Sequence, residues 1–148
     1  MIMRRNKQLF YFLSFTWGII MTVVGIVVAL CLVMTKHKPK KHGWCYYFEV
    51  GKKGWGGVNL GIVFLAEANP SAHTKNHEHG HALQNCIWGP LMPFVISLPS
   101  ATRYHIRKFK RKRGKKLGEY DSVWFEEQAS AWGDKFMNSF GGEFDGNN

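Results

Sequence analysis

Cysteine is scarce in this chain and badly spaced for either of its structural uses. Cys31, Cys45 and Cys86 form no C-x-x-C pair and one must be left over, which excludes a disulfide framework and a cysteine-based zinc knuckle. Such usage fits a reducing compartment. Acid is short as well, with 10 Asp and Glu against 20 Lys and Arg and a formal net charge of +10. It is missing altogether from residues 103–116, where nine of the basic residues fall. The ordinary reading of that run is a solvated helical face, and its functional readings are nucleic acid or anionic lipid. No nucleic-acid motif accompanies it, so no nucleic acid is expected. Lipid headgroups are the expected partner of this basic surface, at about 1 kcal/mol per basic side chain.

Charge of either sign is absent from residues 9–35. As one helix these 27 residues would extend about 40 Å, against about 30 Å of bilayer hydrocarbon. The run is longer than the apolar part of a cleavable signal and leads into Lys36-His37-Lys38-Pro39-Lys40-Lys41 instead of a small-residue cleavage site. A permanent single-pass anchor in the cell membrane is therefore expected; a buried core helix is the plain alternative. Arg4, Arg5 and Lys7 nearly balance the flank at 36–41, and Lys52 with Lys53 tilts the count towards a cytoplasmic C-terminal domain.

Beyond the anchor, residues 44–50 and 58–66 read as two strands, antiparallel, joined through the glycine-rich stretch 51–57. Asn69-Pro70-Ser71 ends the second strand, and Ser71 or Thr74 can cap a helix running to about Asn85. Residues 82–102 are again uncharged, but Pro90, Pro93 and Pro99 oppose a regular span, so an interfacial, re-entrant or protein-buried segment is expected. A last helix over about 121–140 carries Trp124, Phe125, Ala129, Trp132, Phe136 and Phe140 as an apolar stripe of helical period. Residues 141–148 read as a disordered tail.

One stretch specifies a chemistry: His77-Glu78-His79-Gly80-His81. Residues four apart stack on one helical face, so His77 and His81 can aim two imidazoles at one ion, with Glu78 one position round from them. This is the H-E-x-x-H pattern of two zinc-binding His and a Glu that handles a water proton. A His-rich polar helix is the plain alternative. His73 shares the metal-facing side and His79 points away. A third ligand is needed. The extended H-E-x-x-H-x-x-G-x-x-H signature would place Gly at 84 and His at 87, where this chain has Gln84 and Ile87. His105, Glu119, Asp121, Glu126, Glu127 and Asp134 remain. Of these, only the last helix, with Glu126 and Glu127, offers carboxylates on a regular element beside an apolar stripe.

The pattern resembles the zincin metallopeptidases, in particular the branch, the gluzincins, whose third ligand is a Glu on a downstream helix. That branch often shows Glu-x-x-Ala followed by Asp or Asn. Here Glu126-Glu127-Gln128-Ala129-Ser130 matches, except at Ser130. Residues 76–104 and 120–126 are also similar to small uncharacterised bacterial membrane proteins regarded as metallopeptidases, a similarity that brings no known substrate. The resemblance implies an α+β chain: a basic N-terminus (1–8), a transmembrane anchor (9–35), a basic linker (36–43), a zincin-like domain (44–140) and the tail. It implies Zn2+ held by His77, His81 and Glu126, with Glu127 as fallback, and Glu78 as the catalytic base. The implied activity is membrane-anchored hydrolysis of peptide or protein substrates by a zinc-activated water, with the strand at 58–66 binding the substrate backbone. Tyr104, His105 and Tyr120 are candidates for stabilising the oxyanion. Against this stand a non-enzymatic membrane protein with a structural zinc site and a basic membrane-surface adaptor.

Overall fold

The uncharged run does not form one straight helix. In the computed structural model, which describes residues 2–118 and 123–140, it folds as α1 (Ile2–Phe15) and α2 (Ile19–Met34), and the segments Asn6–Phe15 and Ile19–Met34 meet at 87°. No single described helix is long and apolar enough to cross a membrane, so the run is not the one helix expected over 9–35; the bent pair taken together has the length and composition of a broken span or a re-entrant loop. The cause of the bend is tertiary. At the corner the Trp17 indole donates to the Ile87 carbonyl at 3.0 Å, and Asn85 Nδ2 donates to the Gly18 carbonyl at 3.1 Å. One side chain from each partner, Trp17 of the corner and Asn85 of a later helix, thus ties the corner to that helix.

Four short strands follow: β1 (Lys40–His42), β2 (Cys45–Glu49), β3 (Gly57–Leu60) and β4 (Val63–Ala66). They form a mixed sheet of order β1-β2-β4-β3, in which β2 runs parallel to β4 and the other pairs are antiparallel. Two expectations need correction. The expected linker at 36–43 supplies β1, which turns into β2 through Gly43 and Trp44, with His42 opposite Cys45. The stretch 58–66 is not a single strand antiparallel to 44–50 but a hairpin. It reverses at Gly61, where φ is +75°, and Asn59 clamps the reversal by accepting from the Gly61 amide at 2.9 Å and donating to its carbonyl at 3.1 Å. The reversal turns β4 parallel to β2 and leaves β3 at the sheet edge.

Ser71 caps α3 (Ala72–Trp88), its Oγ accepting from the Thr74 amide at 3.1 Å. The proline-bearing stretch then passes through a 3-10 turn (Gly89–Leu91) and a π-helical stretch (Pro93–Ser97) into α4 (Leu98–Lys112). Met92 and Ile96 are buried there, so the uncharged segment is partly protein-buried. The basic run lies on α4, and α5 (Trp124–Phe140) is the last helix. Residues 141–148, expected as a disordered tail, lie outside the described residues.

The larger core cluster joins Phe10 of α1 to Trp44, Phe48, Phe64, Ala82 and Phe136, with Ala29 and Leu32 of α2 packed against it. A smaller one joins Met21 of α2 to Met92, Ile96 and Phe125. In the expected stripe on α5, Phe125, Ala129 and Phe136 are buried, but Trp124 is exposed and Glu126 takes a buried place instead. His79 points into the core, stacked 4.2 Å from Phe136 and accepting from the Trp44 amide at 3.3 Å; burial, with a smaller push from His42, lowers its pKa to about 3.

Helices α3 and α5 cross backbone against backbone. A Cβ on Gly80 would strike the Ala129 carbonyl, and one on Gly133 would strike the Asn76 carbonyl. Above the crossing Asn76 donates to Asp134 at 2.8 Å and accepts from His42 at 2.9 Å. Gly133→Val should therefore force the helices apart and cost about 3 kcal/mol, the upper end for overpacking, because the obstacle is backbone and cannot rotate away. A urea melt that superimposed on that of the parent chain would contradict this crossing.

Candidate metal centre

Three ligand atoms converge at the α3–α5 crossing. His77 Nε2 and His81 Nε2 lie 3.1 Å apart, and Glu126 Oε2 lies 3.0 Å from the first and 3.2 Å from the second. The edge of a tetrahedron with ligands at zinc-like distances is about 3.3 Å, so the spacing suits one small cation. All three side chains are buried, Glu126 completely. Together they could hold a metal ion.

The local sequence explains the convergence. The four-residue spacing puts both imidazoles on the side of α3 that faces α5. On α5, Glu126, Ala129, Ser130 and Gly133 follow the same helical spacing, so the small residues that permit close approach lie on the face that carries the carboxylate.

Each ligand is oriented by a second group. Gln84 Nε2 donates to the Phe125 carbonyl at 2.8 Å and to Gln128 Oε1 at 3.0 Å, so its oxygen faces His81 Nδ1 at 2.7 Å as an acceptor. Gln84 therefore fixes a proton on His81 Nδ1 and aims Nε2 towards His77 and Glu126. Ser130 Oγ lies 2.8 Å from His77 Nδ1, and Ser100 of α4 donates to Glu126 Oε1. Two imidazole nitrogens and a carboxylate oxygen buried at this range are an arrangement that a cation satisfies. Burial pushes the Glu126 carboxyl up, but hydrogen bonds with His77 and His81 outweigh it and hold the group well below the usual carboxylate range.

Glu78 lies beside the three. It is buried, its Oε2 has no hydrogen-bond partner, and its carboxylate is packed against Gly57 of β3, where a Cβ would come within 2.8 Å of Oε1. Burial raises its pKa, and the charge of Glu126 adds to the rise, while His81 and His77 oppose it. A carboxyl so placed is a stronger proton acceptor than a solvated one.

The other candidates fall elsewhere. Glu127 is exposed, Asp134 is bonded to Asn76, and His105 is exposed on α4 with Tyr104 edge-on to it. His73 stands 6.2 Å from His77, ring to ring, and supplies no atom to the convergent group. Glu119, Tyr120 and Asp121 lie outside the described residues. Gln84, Ser100 and Ser130 were not singled out as partners of the ligands. Gln84, at the place where the extended signature has Gly, and Ser130, at the departure from the downstream pattern, were visible as exceptions. Ser100, 26 residues from Glu126, had no signal.

Glu126→Ala should abolish high-affinity metal binding, whereas Glu127→Ala should leave it unchanged. Gln84→Leu should weaken it about 10- to 100-fold, as loss of an orienting partner does. Competition with a chromogenic chelator measures all three, and equal affinity in the Glu126 and Glu127 variants would contradict the ligand set. No family model, curated protein or solved structure matches this chain, so the reading of the site rests on its own geometry.

Proposed function

We propose that the chain is a membrane-associated, zinc-dependent peptidase. The observation that carries this reading is the buried trio His77, His81 and Glu126 with Glu78, whose Oε2 has no hydrogen-bond partner, beside it. Two imidazoles and one carboxylate suit Zn2+, and three protein ligands are the number that catalytic zinc sites use, a fourth position being left open. Bound there, zinc supplies a water acidified to a pKa of about 7 and a Lewis acid for a peptide carbonyl.

The remaining work belongs to the chain's own groups. Glu78 accepts the proton of the attacking water and delivers it to the leaving amine, a shuttle favoured by its burial and raised pKa. Strand β3 is the edge of the sheet and reaches Glu78 at Gly57, so an extended substrate segment added to that edge would run past the proton acceptor. The zincin-like identity of the domain and the peptide substrate are both part of this proposal. Under this proposal hydrolysis depends on Glu78 while zinc retention does not, which separates it from a purely structural zinc site.

Glu78→Gln should retain one zinc per chain and lower peptide hydrolysis by about 10²- to 10⁴-fold, the usual contribution of a general base. His77→Ala should lose both metal and hydrolysis. Zinc content and cleavage of an unfolded protein substrate, measured on the same preparations, check the pair. Undiminished hydrolysis by the Glu78→Gln variant would sink the mechanism.

A further inference from the structure

The helical elbow presents two unlike sides. Its inner side touches the rest of the chain along its length. Phe10 enters the larger core, Ser14 Oγ lies 3.5 Å from Cys86 Sγ, Trp17 and Gly18 are held by α3, Met21 enters the smaller core, and Ala29 and Leu32 return to the larger one. The outer side is apolar and exposed, with Phe12 at 64%, Val27 at 54% and Leu30 at 61%. Exposed Leu91, Phe94 and Leu98 follow, across the 3-10 turn that packs on α2.

Helix α4 continues the pattern. Leu98, Thr102, Ile106 and Phe109 are exposed at helical spacing, on the side away from Ser100, which reaches back to the metal centre. Lys108 and Lys112 border this stripe on one side and Lys110 on the other, the arrangement of a helix lying in a headgroup layer with lysines reaching outward.

Two observations oppose a crossing by α2. A bilayer surrounding it would also enclose β3, β4 and the 3-10 turn, to which it is packed, and with them the buried Asn59 of β3. In addition, both arms of the elbow rest on one core, so the basic flank before Phe10 and the basic flank after Met34 end at the same body.

We propose that the outer side of α1 and α2 and the stripe on α4 form one surface that docks on an anionic lipid bilayer from a single side, immersed to the acyl boundary without crossing it. Lys7, Lys36, Lys38 and the α4 lysines meet lipid phosphates at its rim. Attachment of this kind holds whether or not the metal centre hydrolyses peptides.

The test uses the full chain in bacterial cells, in a Cys31→Ser background in which Cys45 is fully buried and Cys86 partly so. Lys7→Cys and Lys38→Cys are made singly and treated with a membrane-impermeant maleimide, in intact spheroplasts and in inverted vesicles, with the background chain as the blank. The expected result is a membrane-bound chain whose two cysteines label in the same one of the two preparations. Asn6→Cys and His37→Cys, a second pair, should label alike. Labelling of the two flanks in opposite preparations would overturn the proposal in favour of a span, and recovery of the chain as a soluble dimer would overturn it in favour of a second copy covering the face. Flotation with phosphatidylcholine vesicles, with and without phosphatidylglycerol, tests the rim. Lys108→Gln, Lys110→Gln and Lys112→Gln together should remove a preference for the anionic vesicles, and the absence of any such preference in the parent chain would overturn the anionic assignment.

Discussion

The close crossing of α3 and α5 is the constraint on which the rest of this structure depends. Two helices whose backbones touch at Gly80 and Gly133 leave no room for side chains between them, so the residues beside the contact are forced to face one another at short range. His77 and His81 stand on one side and Glu126 on the other. A larger residue at either glycine would widen the gap by more than a carboxylate can bridge at zinc-ligand distance. The same approach buries the three ligands and Glu78, and burial makes their mutual electrostatics strong enough to matter.

Polar groups around that crossing divide into two sets with different tasks. Gln84, Ser100 and Ser130 are spent on the ligands and fix how each presents its lone pair. Asn59, Asn76 and Asn85 are spent on the scaffold, clamping the β3–β4 reversal, the α3–α5 crossing and the elbow between α1 and α2. Helix α3 contributes to both, since Gln84 and Asn85 are neighbours that point to opposite tasks. The elbow is in this way tied to the helix that carries the metal-binding histidines.

Much of the site was legible because helical periodicity is a local property. Spacing alone placed His77 and His81 together, Glu78 beside them and His79 away, and the Glu-x-x-Ala register at Glu126 to Ala129 put Glu126 ahead of Glu127. The sheet was less legible. Residues 58–66 are apolar apart from Asn59, and apolar character alone does not distinguish one strand from a hairpin; the Asn59 clamp around Gly61 decides it. The strand at Lys40–His42 was hidden by its charge, which edge strands tolerate and which reads as linker.

What the sequence determined by itself was therefore the composition of each element and the side of the helix on which its chemistry lies, because those follow from backbone geometry within a few residues. What only the tertiary structure decided was where those sides meet. It bent the uncharged run, since Asn85 and the Ile87 carbonyl offer the corner hydrogen bonds that no neighbour in sequence could. It also brought Ser100 and Glu126 to the two histidines, because contacts between residues far apart in the chain depend on how whole helices pack and leave no periodic trace in the sequence.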